Sequence, residues 1–225
     1  HLANYLSSIK SNSVHVCDNL ITGNINNLLN EEIEFHRIDI NKFDQISELM
    51  LKYKFDYIYH YAAVVGVKRT LNNPDLVLKD LEGFKNIFDL AIKSQVKKIY
   101  FSSSSEVYGE PVHLPQHENT TPLNSRLPYA VVKNVGECFC RTYSQKYNLD
   151  YNIFRFFNTY GSNQSNDFVV SIFIENALKN KDINIYGDGS QTRTFCYIDD
   201  NIEATTNILL NKNFNNKTIN IGNDK

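Results

Sequence analysis

The sequence predicts an α/β protein: a doubly wound, mostly parallel sheet with a smaller lid towards its C-terminal end. Two observations carry this. Short apolar runs of strand character alternate with segments of helical spacing from the start of the chain to Phe156, the pattern of parallel strands joined by crossover helices. Acidic, small or hydroxyl-bearing residues follow four of those runs, and such sheets hold ligands beyond the carboxyl ends of their strands.

Leu2 to Ile9 is apolar at helical spacing. Val14-His15-Val16-Cys17 reads as a buried strand ending at Asp18, and Asp18 to Gly23 as a turn-rich loop. Phe35 to Ile38 is a second strand, again ending in an acid, Asp39, and Phe43 to Leu51 a helix. Tyr57 to His60 is a third strand, followed by the small pair Ala62-Ala63, and Leu76 to Ser94 a long helix. Lys98 to Phe101 is a fourth strand running into Ser102-Ser103-Ser104-Ser105. Tyr129 to Tyr147 is a helix and Tyr151 to Phe156 a fifth strand. After Phe156 the alternation weakens. Phe168 to Leu178 and Asp199 to Leu210 read as helices, and Ile183 to Tyr186 and Thr218 to Ile221 as short strands. The division predicted is a sheet domain over residues 1–160 and a lid over 161–225, with the chain interleaving between them.

With 225 residues, 42% hydrophobic and 21% charged, the composition is that of an ordinary globular protein. A net charge of −2 with no basic block excludes an evident nucleic-acid partner, and no apolar run reaches membrane-spanning length. Cys17, Cys138, Cys140 and Cys196 form no CxxC and suggest no metal site, so reduced thiols in a cytoplasmic protein are expected. The first residues, His1-Leu2-Ala3, already read as helix, and the last follow directly on a strand; a fragment lacking both ends is the expectation.

Tyr129-Ala130-Val131-Val132-Lys133 carries the chemistry. Residues four apart on a helix share a face. A tyrosine titrates near pH ~10, and an adjacent ammonium favours its phenolate, so the pair predicts a phenol lowered towards neutrality and usable as a base. Alone, so short a motif as YxxxK more often describes two surface residues of an amphipathic helix. A hydroxyl beside such a pair can hydrogen-bond a sugar hydroxyl, and Ser104 is the candidate in the serine run, which is otherwise a polar turn. Glu106 is either a base acting on a substrate carbon or a solvated carboxylate. Asp18, at the end of the second strand of a dinucleotide fold, would bind the adenosine ribose and disfavour a 2′-phosphate, or else open an Asx turn. Asp39 would accept from an adenine amino group. Ala62-Ala63 would permit close approach of a cofactor, or serve packing.

The ordered set of motifs resembles a known family. Asp18-Asn19 with Gly23, His60-Tyr61-Ala62-Ala63, Ser103 to Gly109, the Tyr129–Lys133 stretch, Arg155 to Gly161 and Tyr186 to Asp200 are similar to the extended short-chain dehydrogenase/reductases, the NAD-dependent nucleotide-sugar epimerases, dehydratases and decarboxylases. The resemblance spans essentially the whole chain. It implies a Rossmann-like fold, NAD as cofactor, a nucleotide-sugar substrate, UDP-linked, no nucleic acid, membrane or metal, and a homodimer. It implies a first strand and GxxGxxG phosphate loop ahead of His1. Ser104, Glu106, Tyr129 and Lys133 become the catalytic set. Asp18, Asn19, Gly23, Asp39, Ile40, Tyr61, Ala62, Ala63, Ser102, Tyr129, Lys133 and Phe156 become cofactor-binding. Ser104, Ser105, Asn158, Val169, Tyr186 and Arg193 become substrate-binding, with Arg193 pairing to the diphosphate. Two departures stand out: Tyr61 replaces the usual Leu, and Asp80 replaces an Asn, which puts one family hydrogen bond in question.

The family's shared step is oxidation of the sugar C4 hydroxyl to a 4-keto sugar. Ser-Ser-Glu106-Val-Tyr-Gly is similar to the UDP-glucuronate decarboxylases and also to the GDP-mannose dehydratases, while the segment around Arg193 with Phe195 and Tyr197, and Asp18 to Gly23, look most like the decarboxylases, which predicts conversion of UDP-glucuronate to UDP-xylose. A UDP-sugar 4-epimerase, a 4,6-dehydratase and a catalytically silent binding module of the same fold are the alternatives.

Overall fold

The computed structural model describes residues 1–185 and 187–223, apart from the side chains of Val67 and Leu210. Its elements in chain order are α1 (Leu2–Ser7), β1 (His15–Asp18), β2 (Glu34–Arg37), α2 (Phe43–Tyr53), β3 (Tyr57–His60), α3 (Val67–Asn72), α4 (Pro74–Lys93), β4 (Lys98–Ser104), α5 (Pro128–Tyr147), β5 (Asp150–Phe156), β6 (Asn158–Tyr160), α6 (Val169–Leu178), β7 (Phe195–Tyr197), α7 (Ile198–Leu210) and β8 (Lys217–Ile221). Chemistry at the helix ends explains the long helices. Pro74 and Pro128 open α4 and α5, where a missing N–H costs nothing. Lys54 and Asn148 close α2 and α5 in the left-handed region, at φ 50° and 57°. None of the described helices is long and apolar enough to cross a membrane.

The strands are parallel but form separate ladders: β1-β2, β3-β4-β5-β8 and the short pair β6-β7. A cavity of about 360 Å³ lies where β1 and β3 face each other without a ladder, lined by Val16, Asp18, Ile40, Ile58, His60 and Ala62 among others. Burial on both faces explains the apolar runs of β4 and β5. Alternate residues of β4 serve opposite cores. Ile99 and Phe101 join α2, α4 and α5 on one face, while Tyr100 joins Phe154, Cys196, Ile208 and Ile221 on the other. Gly136 lets α5 approach β4, since a Cβ there would stand 2.1 Å from the Phe101 ring. The last described strand, β8, returns to the main sheet beside β5, with Phe154 opposite Ile219.

Two sequence expectations change. The serine run belongs to the strand as far as Ser104, and a 3₁₀ turn follows over Ser105–Tyr108. Ile183 to Ile185, read as a strand from its alternation, forms none: Ile183 and Ile185 are exposed and have no ladder partner. Tyr186 lies outside the described residues.

Candidate active site

The carboxyl end of β4 and the first turns of α5 build the centre of the site. The Ser104 hydroxyl caps the 3₁₀ turn by accepting from the Glu106 backbone N–H at 3.2 Å, and the phenol of Tyr129 lies close enough to feel it. Lys133, one turn along α5, is buried with its ammonium 5.8 Å from the centre of the Tyr129 ring. It donates to the Ser102 carbonyl at 2.6 Å. The structure thus brings Ser102, Ser104, Tyr129 and Lys133 together.

The electrostatics differ from the sequence expectation. Burial pushes the Tyr129 phenol up to about 12, and Glu106 and Asp80 add to the rise; only the Ser104 hydroxyl opposes it. The expected lowering by Lys133 is absent because burial also takes the ammonium out of water, bringing Lys133 down to about 8 despite the attraction of Asp80. Spacing placed two side chains on one face, but solvation decides their charge.

Asp80 answers the question its substitution raised. Its carboxylate accepts from the Val64 N–H at 2.9 Å, fixing the backbone just beyond Ala62-Ala63. Burial raises its pKa, while the Val64 bond and Lys133 oppose the rise. An acid can therefore occupy this buried position, with Lys133 as its counter-charge.

Beneath the site lies a fully buried ion pair. Arg155 on β5 donates to both carboxylate oxygens of Glu137 on α5, at 2.8 and 2.7 Å. The Ser103 hydroxyl donates to the same carboxylate at 2.7 Å, as does Arg141. Arg155 also donates to the Tyr108 hydroxyl, which donates to Asn220 on β8. This network ties β4, α5, β5 and β8 directly under Ser104. Sequence reading quoted Arg155 only within a motif and missed Glu137. The signal was present, since Tyr129, Lys133 and Glu137 recur every four residues on one face of α5.

At the far end of the sheet, the Asp18 carboxylate accepts from the Leu20 N–H at 2.6 Å, so the Asx turn does form. The loop then folds back on it: a Cβ at Gly23 would lie 2.6 Å from Asp18 Oδ1. Asn19 makes a second such turn to Ile21. Asp39 accepts from Asn41 and lies next to Ile40, which with Asp18 and Ala62 lines the cavity between β1 and β3. Tyr61 also lines this cavity. Its ring packs edge-on against Phe156, with its hydroxyl buried beside Thr205 and without a hydrogen-bond partner. His60 is buried and stacked on Phe101, and burial brings it down to about 3, a neutral packing residue.

The expected substrate residues are more scattered. Glu106 and Val169 are exposed and Ser105 is half-buried. Asn158 starts β6 with its amide donating to the Thr194 carbonyl. Arg193 is exposed and donates to the Thr192 carbonyl. Arg69 on α3 pairs with Asp167 at 2.7 Å, fixing the segment before Val169.

A dinucleotide fits this set in part. Gly23 keeps the loop close to an acid at the end of β1, small residues follow β3, and a buried cation stands between Ser102 and Tyr129. The sequence contains no GxxGxxG to grip a diphosphate.

Comparison with known proteins follows the same lines. Residues 1–222 match the NAD dependent epimerase/dehydratase family. A protein of Methanocaldococcus jannaschii described as a putative UDP-glucose 4-epimerase is 38% identical over 220 residues, covering 94% of this chain and 69% of that protein. UDP-glucuronic acid decarboxylase 5 of Arabidopsis thaliana is 33% identical, covering 99% of this chain and 66% of its own. The crystal structure of a UDP-glucose 4-epimerase with UDP-glucose from Thermotoga maritima superimposes with a TM-score of 0.92 at 28% identity, over all of this chain and 74% of that one. This chain therefore spans about two thirds of the length of such curated relatives, and it belongs to the NAD dependent epimerase/dehydratase family.

Proposed function

We propose that the chain is the greater part of an NAD-dependent enzyme that modifies a nucleotide sugar through a 4-keto sugar, and that its reaction is decarboxylation of UDP-glucuronate to UDP-xylose. NAD, when bound, takes the C4 hydride and returns it. Asp18 would meet the adenosine ribose, with Asn19 and Gly23 shaping the loop around it. Asp39 and Ile40 would flank the adenine, and Tyr61 to Ala63, Ser102, Lys133 and Phe156 would border the rest of the cofactor. Tyr129 would accept the C4 hydroxyl proton through the contact it shares with Ser104, and give it back at the end. Lys133 would hold the nicotinamide ribose and supply charge to the phenolate. Between these events the C6 carboxylate departs as carbon dioxide, its bonding electrons pass to C5, and C5 takes up a proton.

The observation that carries this reading is Glu106. The Ser104 cap holds it at the start of the turn, exposed yet close enough to raise the Tyr129 pKa. An exposed carboxylate there can relay a solvent proton to C5, a step a plain 4-epimerase lacks. Residues 161–225, with Ser105, Asn158, Val169, Tyr186 and Arg193, would hold the sugar nucleotide, and exposed Leu78 on α4 and Val131 on α5 would serve a homodimer. A 4-epimerase is the second reading, favoured by the description of the Methanocaldococcus relative.

A strand and phosphate loop of the family's kind would pair between β1 and β3. The test joins such a segment ahead of His1 and incubates the product with UDP-glucuronate, UDP-glucose and UDP-N-acetylglucosamine. Loss of the mass of carbon dioxide from UDP-glucuronate alone supports decarboxylation. Unchanged mass with a new retention time means epimerisation and loss of water means dehydration, and either sinks the first reading. Glu106→Gln should then slow product release from UDP-glucuronate while leaving epimer formation, if any, unaffected. A joined protein that binds NAD yet turns over no UDP-sugar would instead support a silent binding module.

A further inference from the structure

Outside the site described, β1 and β2 present a second cluster of ligating side chains. Their parallel register sets His15 opposite Glu34 and Cys17 opposite His36. Side chains two apart on a strand share a face, so His15, Glu34 and His36 emerge together. His15 Nδ1 lies 3.0 Å from His36 Nε2 and 3.6 Å from Glu34 Oε2. All three donor atoms lie within 4.8 Å of one another. The rings of His15 and His36 are nearly parallel, 7° apart, with two of their nitrogens 3.0 Å from each other. In the hydrogen bond between them, one of the two nitrogens accepts with its lone pair.

We propose that His15, His36 and Glu34 form a binding site for a zinc-class divalent cation. Zinc bonds of about 2.0–2.2 Å in a tetrahedron set donor atoms roughly 3.3 Å apart. The 3.0 and 3.6 Å separations from His15 bracket that edge, and all three donor atoms lie within 4.8 Å of one another. Two imidazoles and a carboxylate are a ligand set suited to zinc and poorly suited to magnesium. The surroundings already orient the ligands. Ser13 Oγ meets the other nitrogen of His15 at 3.3 Å, and the Tyr53 hydroxyl donates to Glu34 Oε2 at 3.2 Å. Tyr53 and Phe55 pack on the His15 ring with centroids 4.3 and 5.0 Å away, leaving the His15 side chain only 6% exposed. Such supports fix ring orientation and are typical of built metal sites. Glu34, 54% exposed, keeps one side open, where water completes the coordination and the ion enters. The ion would clip β1 to β2 immediately behind the loop that carries Asp18.

The test is titration of the 225-residue chain, and of its Cys17→Ala variant, with zinc chloride, followed by calorimetry and by the visible spectrum of the cobalt form. One equivalent should bind, the cobalt form should give the strong absorption of a tetrahedral site, and the melting temperature should rise. His36→Gln and Glu34→Gln should each weaken binding at least tenfold, with magnesium ineffective throughout. If His36→Gln fails to fold, the exposed Glu34→Gln decides the matter. No binding at tenfold molar excess of zinc, or binding that Glu34→Gln leaves unchanged, overturns the proposal and leaves a hydrogen-bonded histidine pair.

Discussion

Replacing Glu137 by Met tests how the catalytic face of α5 is held. The substitution keeps the side chain's bulk but leaves the Arg155 guanidinium, 2% exposed, without its carboxylate. Ser103 and Arg141 lose an acceptor at the same time. Removing one partner of a buried pair costs about 3–5 kcal/mol. For a chain of 225 residues, each kcal/mol moves the melting temperature by roughly 2–4 °C, so a fall of roughly 6–20 °C is expected. Urea unfolding followed by circular dichroism gives the difference from the midpoint at constant slope. The companion variant Glu137→Met/Arg155→Met removes both charges, and should cost less than Glu137→Met alone. The pH profile adds a second readout. Burial on its own would raise Glu137, but Arg155, Ser103 and Arg141 together hold it below its ordinary 4.5. Its contribution is therefore complete above pH 4.5 and disappears as pH falls through the lower folded value; the Glu137→Met chain should lack that component. A loss under about 1 kcal/mol, or simple additivity of the two substitutions, would refute the view that this pair anchors α5.

Three further outcomes follow. Tyr129→Phe in the joined enzyme should reduce turnover roughly 100- to 10,000-fold while NAD affinity is retained, measured by product formation and by fluorescence titration; surviving turnover would dismiss the base assignment. Lys133 is held at about 8 against an ordinary 10.5, so between those values the unfolded chain binds more protons and stability rises with pH. Lys133→Met should flatten that rise, by up to about 3 kcal/mol, in denaturation series from pH 7 to 10. Gly136→Ala forces a methyl carbon to within 2.1 Å of the Phe101 ring and should cost about 1–3 kcal/mol or more in the same assay; no loss would mean that α5 does not press on β4 as described.

Much of the fold was legible because parallel strands buried on both faces leave continuous apolar runs. Tyr57–His60 matches its sequence reading, and β4 and β5 differ only at their ends. Ile183-Asn184-Ile185 failed because alternation signals a strand only where a partner strand is available. The pair β6-β7 was missed because three residues per strand give no period to detect. In the site, spacing correctly put Tyr129 and Lys133 side by side, yet misjudged their charge. Helical geometry is a local property, whereas desolvation depends on Phe101, Asp80 and the strand above, which come from elsewhere in the chain. Where the Tyr61 ring goes was not legible either: the motif fixes a backbone position, and the ring packs against Phe156.

The opening between β1 and β3 bears on how a ligand could couple the two ladders. Among the described residues no ladder joins the strand carrying Asp18 to the strands carrying Ser102 and Ser104; α2 packs on α4, and Asn86 donates to the Ile40 carbonyl across the boundary. A ligand that reaches from Asp18 to Ser104 would then be a mechanical bridge as well as a reactant. Some of its binding energy would go into ordering the protein, so affinity and the rigidity of the β1-β2 half would rise and fall together.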